Sequence, residues 1–276
     1  MTKIILHAHV FYPELWPELL SCIENCRAEV GDDSLFVVAT CPETKPELRE
    51  TLERSLRAMR HEVIAVPNRG YDVGPFVEYV LNRPDFASFD FVVKLHTKRD
   101  VDLFFLFRMF RGAAWRRELL SFCSTREAFR RSLAAFEQMP RLGMIAGSRV
   151  ISRGGLDYSR AAIREVRSLG RKFGVERTRS GAATAVFGTM FMARTKCLLP
   201  LAGLSRLSDF ELVTPANVHQ GGSLAHAYEG TFAFAVSEQG YLVSDGKRPY
   251  SLACLAARVM FFVGRSWRFI SSFGRL

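Results

Sequence analysis

Four groups of residues have types and spacings that can carry chemistry. Two lie in the stretch Val63 to Asp100. After an apolar run at Val63 to Val66 come Asn68, Arg69, Gly70, Asp72, Gly74 and Pro75, a turn whose glycines let a ligand approach the backbone and whose Asp72 can accept hydrogen bonds from a sugar or ribose. The turn matches neither the GxGxxG fingerprint nor a P-loop, and its bland role is to cap the helix that begins near Gly74. A second apolar run, Phe89 to Leu95, leads into Lys94, His96 and Lys98, which alternate along a strand and so share one face. Three cationic or potentially cationic groups at a strand end can stabilise the charge that builds on a departing phosphate ester, although lysines are also common where a strand enters solvent. The third group is His7 and His9, an HxH spacing that can chelate a metal, or else a core histidine at His7 and a ligand contact at His9. The fourth is His226 and Glu229 in LAHAYEGTF, one helical turn apart, where the carboxylate can serve as a general base or the two can form a plain surface pair.

The elements that must position these groups read as an α/β alternation. Ile4 to Phe11 is a strand, Pro13 to Cys26 a helix with Leu15, Leu19, Leu20 and Ile23 on one face, and Ser34 to Thr40 an almost wholly apolar strand. Lys45 to Arg60 is a charged surface helix, and Val63 to Leu95 is a βαβ unit. This order predicts a mostly parallel sheet flanked by helices, with ligands at the carboxyl ends of the strands. Beyond Asp100 the sequence predicts one or two basic helices over Trp115 to Phe136, and a strand at Leu142 to Ala146. Ala183 to Ala193 reads as a strand pair or a strand bent at Gly188. Arg153 to Ser180 carries Arg153, Arg160, Arg164, Arg167, Arg171, Arg177 and Arg179 and reads as a long functional loop around a helix. Asp209 to Phe234 mixes polar and small residues around His219, His226 and Glu229.

The chain has 276 residues, enough for one α/β core, and 48% apolar with 24% charged residues places it among ordered globular proteins. Its formal net charge of +10 favours an anionic partner such as a nucleotide or an acidic membrane surface. The dispersed arginines form no nucleic-acid-binding motif. Cys22, Cys26, Cys41, Cys123, Cys197 and Cys254 sit in apolar segments without framework spacing and read as reduced thiols of a cytoplasmic protein. The amino terminus does not read as a signal peptide, and no segment has the ~20 apolar residues of a membrane span. From Tyr250 to Leu276 bulky apolar residues alternate with Arg258, Arg265, Arg268 and Arg275, the pattern of a helix lying in a membrane interface, with a helix packed on the core as the alternative.

HAHVFYPELW, NRGYDVGPF, FDFVVKLHTK, the Trp115-Arg116 pair, GTMFMAR from Gly188 to Arg194, and LAHAYEGTF together resemble the rhamnan synthesis protein F family of bacterial polysaccharide glycosyltransferases, in consistent order from Ile4 to Phe234. The resemblance implies a GT-A-like transferase acting on a nucleoside-diphosphate sugar, rhamnose being the family's suggestion. The acceptor would be a growing lipid-linked glycan (rhamnan, O-antigen or capsule) at the inner face of the cytoplasmic membrane. In that scheme residues 1–249 form one domain, with a nucleotide-binding half over 1–100 and an acceptor half over 101–249, and 250–276 associate with the membrane. His9, Tyr12, Arg69 and Asp72 would contact the nucleotide, Lys94, His96 and Lys98 the diphosphate, and Glu229 would deprotonate the acceptor, oriented or supplemented by His226. Related enzymes end the corresponding strand in Asp-x-Asp, which holds a divalent cation. Here Lys94-Leu95-His96-Thr97-Lys98 stands in that place, so manganese or magnesium is compatible with the pattern but not required by it. Where the family pattern reads His-Ala-Leu-Glu-Arg, this chain has Tyr228 and Gly230 and keeps His226 and Glu229. Two other classes remain open: a metal-dependent hydrolase using His7 and His9, and a non-catalytic module binding polyanions or membranes.

Overall fold

The most apolar stretches lie at the centre of the sheet because both of their faces are covered. In this computed structural model β1 (Ile4–His9) is buried along its whole length and is paired on both edges. β2 (Leu35–Pro42) lies on one side of it and β4 (Phe91–His96) on the other, with β3 (Arg60–Val66) beyond β2. All four strands are parallel, in the order β3-β2-β1-β4. β3 and β4 therefore do not pair directly, as a minimal βαβ unit would; β2 and β1 lie between them. The chain builds outward from β1 through β2 to β3 and then returns across the sheet to add β4. That return creates a topological switch between β1 and β4, the position where open α/β sheets form ligand crevices at the carboxyl ends of their strands.

The structure describes residues 2–105, 108–153, 166, 168–172, 184–214, 216 and 223–246. The arginine-rich segment is mostly outside these residues, as are His219, Cys254 and the whole of 250–276. A small hairpin of β5 (Leu103–Phe105) and β6 (Arg108–Phe110) follows β4. The main sheet then continues with β7 (Leu142–Ile145), while β8 (Ile151–Arg153) and β9 (Thr184–Val186) form a second small antiparallel pair. β10 (Phe191–Arg194) inserts between β4 and β7, antiparallel to both, and β11 (Leu242–Ser244) ends the sheet beside β7. Both sequence halves thus contribute to one seven-stranded, mostly parallel sheet, and the residues up to Asp245 form one compact unit.

Helices cover the sheet as their apolar spacing dictates. A 3-10 turn at Pro13–Leu15 opens into α1 (Trp16–Val30). In α2 (Pro46–Leu56) the buried residues Leu48, Leu52 and Leu56 recur every fourth position, giving a single apolar stripe. The short α3 (Val73–Phe76) runs into a π-helical turn at Val77–Leu81. α4 (Ala114–Leu120) and α5 (Arg126–Gln138) follow, α5 being capped by Thr125, whose hydroxyl accepts the Ala128 N–H at 3.1 Å. α6 (Thr195–Leu198) leads towards α7 (Leu224–Glu238), capped by Ser223. Cys22, Cys26, Cys41, Cys123 and Cys197 are all free and buried, as their apolar settings predicted. Among the described residues no helix is long and apolar enough to cross a membrane.

Candidate functional site

The carboxyl edge of β1 and β4 brings two predicted site residues side by side, since His9 and His96 are register partners. Both imidazoles are nearly enclosed, 4% and 5% exposed. Thr97 binds the two strand ends together: its N–H donates to the His9 carbonyl at 3.0 Å, and its hydroxyl accepts the N–H groups of Phe11 and Tyr12 at 2.9 and 3.0 Å. The Tyr12 ring is half-buried and faces the Arg99 guanidinium at 4.3 Å. Arg116 pairs with Glu18 and Asp100 and donates to the Lys98 carbonyl at 3.2 Å, which fixes the chain just after β4. Lys98 itself is half-buried at this rim.

Beneath the rim lies a closed polar cluster that sequence periodicity did not reveal. Lys94 is 0% exposed, and its ammonium pairs with Asp72 while also donating to the Thr189 carbonyl at 3.1 Å and the Thr189 hydroxyl at 2.9 Å. Those three partners use all three ammonium protons. The Thr189 hydroxyl in turn donates to Asp72 Oδ2 at 2.6 Å. The Phe76 ring lies below the ammonium, 5.5 Å away. The three-cation reading of the strand end is revised accordingly. The charge of Lys94 is matched by Asp72, so Lys98 is the ammonium left at the rim, and the Asp72 carboxylate is engaged inside the protein rather than held out towards a ribose.

The same cluster reaches Glu229 through one turn. Gly188 and Thr189 adopt left-handed φ angles of 76° and 47°. The Gly188 carbonyl accepts from His96 Nε2 at 2.8 Å, and the Gly188 N–H donates to Glu229 Oε1 at 2.7 Å. Glu229 and His226 are both half-buried on α7. His226 Nδ1 shares a 2.7 Å hydrogen bond with Ser223 Oγ, and its ring meets Tyr71 edge-on at 5.9 Å. On α7 the rings of Tyr228 and Phe232 pack with Phe210, Phe76 and Phe191, so the helix that carries Glu229 is anchored through an aromatic cluster. Sequence reasoning missed Thr189. Its one signal was the Gly-Thr pair after an apolar run, where only the bend at Gly188 was legible.

The turn after β3 is fastened to the chain before α7. The Gly70 N–H donates to the Glu211 carbonyl at 3.1 Å, the Val213 N–H to the Asn68 carbonyl at 2.7 Å, and the Arg69 guanidinium to the Phe210 carbonyl at 2.8 Å. Gly70 is required twice over, by its φ of 64° and because a Cβ there would stand 2.5 Å from the Phe210 ring. A Cβ at Gly74 would stand 2.3 Å from the Arg69 carbonyl. These glycines serve tight packing as well as any ligand. Tyr71, at φ 55°, and Thr189 are the non-glycine residues with left-handed φ among those described, and both border this site. Such strain concentrates where structure is held for function.

Burial sets the protonation states. Desolvation pulls His9 and His96 down to about 4, against the partial opposition of Asp72, and drives His7 in the same direction. The imidazoles are neutral at pH 7; His96 Nε2 lies 2.8 Å from the Gly188 carbonyl and Nδ1 3.2 Å from the Thr97 carbonyl, and the shorter contact takes the ring's single proton. Burial also lowers Lys94, with Asp72 working the other way. For Asp72 burial acts to raise the carboxyl, but His96, Lys94 and the hydrogen bonds from Lys94 and Thr189 outweigh it and hold the group well below the carboxylate range. A histidine whose folded value lies below its unfolded value of about 6.5 gives full stability above that pH and loses it as the pH falls towards the folded value. The loss is about 3 kcal/mol for each of His9 and His96 between pH 6.5 and 4. Urea unfolding at pH 7, 6, 5 and 4.5 checks this; a flat profile would show that these rings are not held neutral.

A divalent cation does not suit this donor set. Asp72, the carboxylate beside the end of β4, is paired with Lys94, and no cluster of three or more potential metal ligands occurs among the described residues. The HxH pair forms no chelate either, because His7 Nε2 and His9 Nδ1 both turn to Thr40 Oγ1, at 3.0 and 2.9 Å. The clefts lined by Glu29, Ser34, Arg130 and Glu137, and by Phe89, Asp90, Arg194 and Lys196, surround Thr2 just before β1, at the opposite edge of the sheet from this chemistry.

Comparison with known proteins agrees with the sequence motifs. Residues 1–241 match the rhamnan synthesis protein F family. A search of curated proteins gives no match. Among solved structures the chain is similar to S. aureus TarS 1–349, with 11% identity over 84% of this chain and 55% of that one, at a TM-score of 0.45. It is also similar to core-mannan synthase A from Aspergillus fumigatus in its Mn/GDP form, with 9% identity over 87% of this chain and 69% of that one, at a TM-score of 0.40. The chain thus spans about half the length of the TarS fragment.

Proposed function

The chain belongs to the rhamnan synthesis protein F family of polysaccharide-building glycosyltransferases, and from that premise we propose that it moves a rhamnosyl group from a nucleoside diphosphate to a lipid-linked glycan, using Glu229 as the base. The observation that carries this is the gathering of His9, Tyr12, Lys98 and Glu229 around the carboxyl ends of β1 and β4, at the switch in strand order. The donor nucleotide lies in that crevice against His9 and Tyr12, with Arg69 holding the loop that borders it. Lys98 meets the diphosphate. Lys94 and Asp72, first read as ligand contacts, are the buried pair that supports the site from below.

In the reaction the acceptor hydroxyl gives its proton to a Glu229 carboxylate oxygen as its own oxygen bonds to the anomeric carbon. The bond from that carbon to the diphosphate breaks, and its electron pair leaves with the nucleoside diphosphate beside Lys98. In-line attack inverts the anomeric centre. No step here runs through a metal. The chain works at the inner face of the cytoplasmic membrane, and the support for that placement is the alternation of arginines and aromatics over 250–276 in the sequence.

Calorimetric titration with UDP and dTDP, each in EDTA and again with manganese, tests this reading. Binding of one nucleotide in EDTA is expected, weakened in Lys98→Ala by roughly tenfold, the scale of a lost charge-assisted hydrogen bond. Binding only with manganese would overturn the role given to Lys98. Absence of binding under every condition would overturn the donor site itself.

A further inference from the structure

We propose that Thr189, held by Lys94 and Asp72, is a positioning residue that aims the Glu229 carboxylate through the Gly188 peptide. The proposal rests on the reading of Glu229 as the base. Three observations lead to it. First, a β-branched residue in the left-handed region is strained by about 1–3 kcal/mol and persists only where its surroundings over-determine it. Thr189, at φ 47°, is held by two bonds from Lys94 and one to Asp72. Second, consecutive peptides of the turn are pinned from one side, the Gly188 carbonyl by His96 and the Thr189 carbonyl by Lys94. From the other side Leu119 of α4 fills the space where a Gly188 Cβ would stand, 2.6 Å away, and the Phe187 N–H is tied to the Val150 carbonyl at 3.0 Å. With its neighbours fixed, the Gly188 N–H has one direction left, and Glu229 Oε1 lies in it at 2.7 Å. Third, a largely buried ion pair such as this one is often no better for stability than apolar side chains of the same volume. Apolar side chains, however, cannot bind a carbonyl, a hydroxyl and a carboxylate of one turn together. The pair, the threonine and the glycine therefore act as one bracket, and the catalytic carboxylate is its load.

The test uses full-length Thr189→Val, which keeps the β-branched shape and removes the hydroxyl, and Thr189→Ser, which restores it. Glu229→Gln serves as the reference. One readout is turnover of dTDP-rhamnose on lipid-linked acceptor extracted from membranes, with kcat and KM separated and dTDP binding measured in parallel. The other is the Gly188 amide in spectra of 15N-glycine-labelled protein, which needs no substrate. In Thr189→Val kcat is expected to fall by roughly 10²-fold, the cost of a small misplacement of a reacting group, with KM and dTDP binding kept. The Gly188 amide is expected to shift upfield, and to do the same in Glu229→Gln, where its acceptor loses its charge. Thr189→Ser should return both to wild type. A Thr189→Val protein with wild-type kcat and an unmoved Gly188 resonance would overturn the bracket while leaving the transferase intact. An active Glu229→Gln, or binding of neither UDP nor dTDP by wild type, would instead overturn the underlying reading. Should Thr189→Val not fold, the charge-neutral double variant Asp72→Asn with Lys94→Met carries the same readouts, and an unmoved Gly188 amide there counts equally against the proposal.

Discussion

Glu229→Gln is expected to lose transfer by about 10²- to 10⁴-fold, the usual contribution of a positioned general base, while binding donor nucleotide as wild type does. The substitution is chosen for its shape. A glutamine carbonyl oxygen can still accept the Gly188 N–H, which Glu229 Oε1 accepts at 2.7 Å, so the turn and α7 stay in place and only the capacity to take a proton goes. The half-buried position of Glu229 at the opening of the site makes an effect on folding small. Nucleotide affinity by calorimetry and single-turnover transfer separate the two quantities. Transfer within a few-fold of wild type would remove Glu229 from the reaction, and loss of nucleotide binding in step with transfer would make it a binding group instead.

Lys94→Met alone is expected to destabilise the protein by about 3–5 kcal/mol, because it leaves a buried carboxylate without its counterion. Asp72 is 16% exposed, and its other side-chain partners are the Thr189 hydroxyl and, at 3.8 Å, His96 Nε2. Against a typical total of about 5–15 kcal/mol, that loss threatens folding at growth temperature. Pairing the substitution with Asp72→Asn should recover much of the loss, because no bare charge remains. The pH dependence separates this mechanism from a simple packing defect. In wild type Asp72 is held below its unfolded value, so its contribution is present above about pH 4 and is lost as the pH falls through the folded value. Without Lys94, burial raises Asp72 above its unfolded value, so the penalty is greatest at neutral pH and fades as the carboxyl protonates. The stability gap between Lys94→Met and wild type, measured by urea unfolding, should therefore narrow from pH 7 to pH 5. A gap independent of pH would mean that the lost volume matters rather than the charge.

These expectations depend on contacts that lie far apart in the sequence. Asp72 and Thr189 are separated by 117 positions and Lys94 and Thr189 by 95. No local period relates such residues, so Lys94 on a strand end reads as an accessible cation when its neighbours in sequence are the only ones known. The strands themselves were legible for the opposite reason. Ile4 to His9 is apolar apart from His7 and His9, and Leu35 to Pro42 apart from Thr40, and such runs must be covered on both faces wherever they fall in the order. The helix stripe Leu48, Leu52 and Leu56 follows from the 3.6-residue period in the same way. Of the candidate site, the residue types and the family motifs were readable, including the His226 and Glu229 pair and the bend at Gly188. The strand partner of each was not, because a parallel sheet is paired by long crossovers whose destinations are set by the competition of whole strands for the central positions.

By itself, the sequence determined that the first hundred residues alternate strands and helices, that the candidate site residues gather at the carboxyl edge of a mostly parallel sheet, and which family the chain belongs to. Those properties follow from local periodicity and from short motifs that keep their order. Only the tertiary structure decided that β1 separates β3 from β4, that Lys94 is buried as the counterion of Asp72, and that Thr189 stands between that pair and Glu229. Charge in a protein acquires its role from the dielectric and the partners around it, and both are made by residues that meet only when the chain has folded.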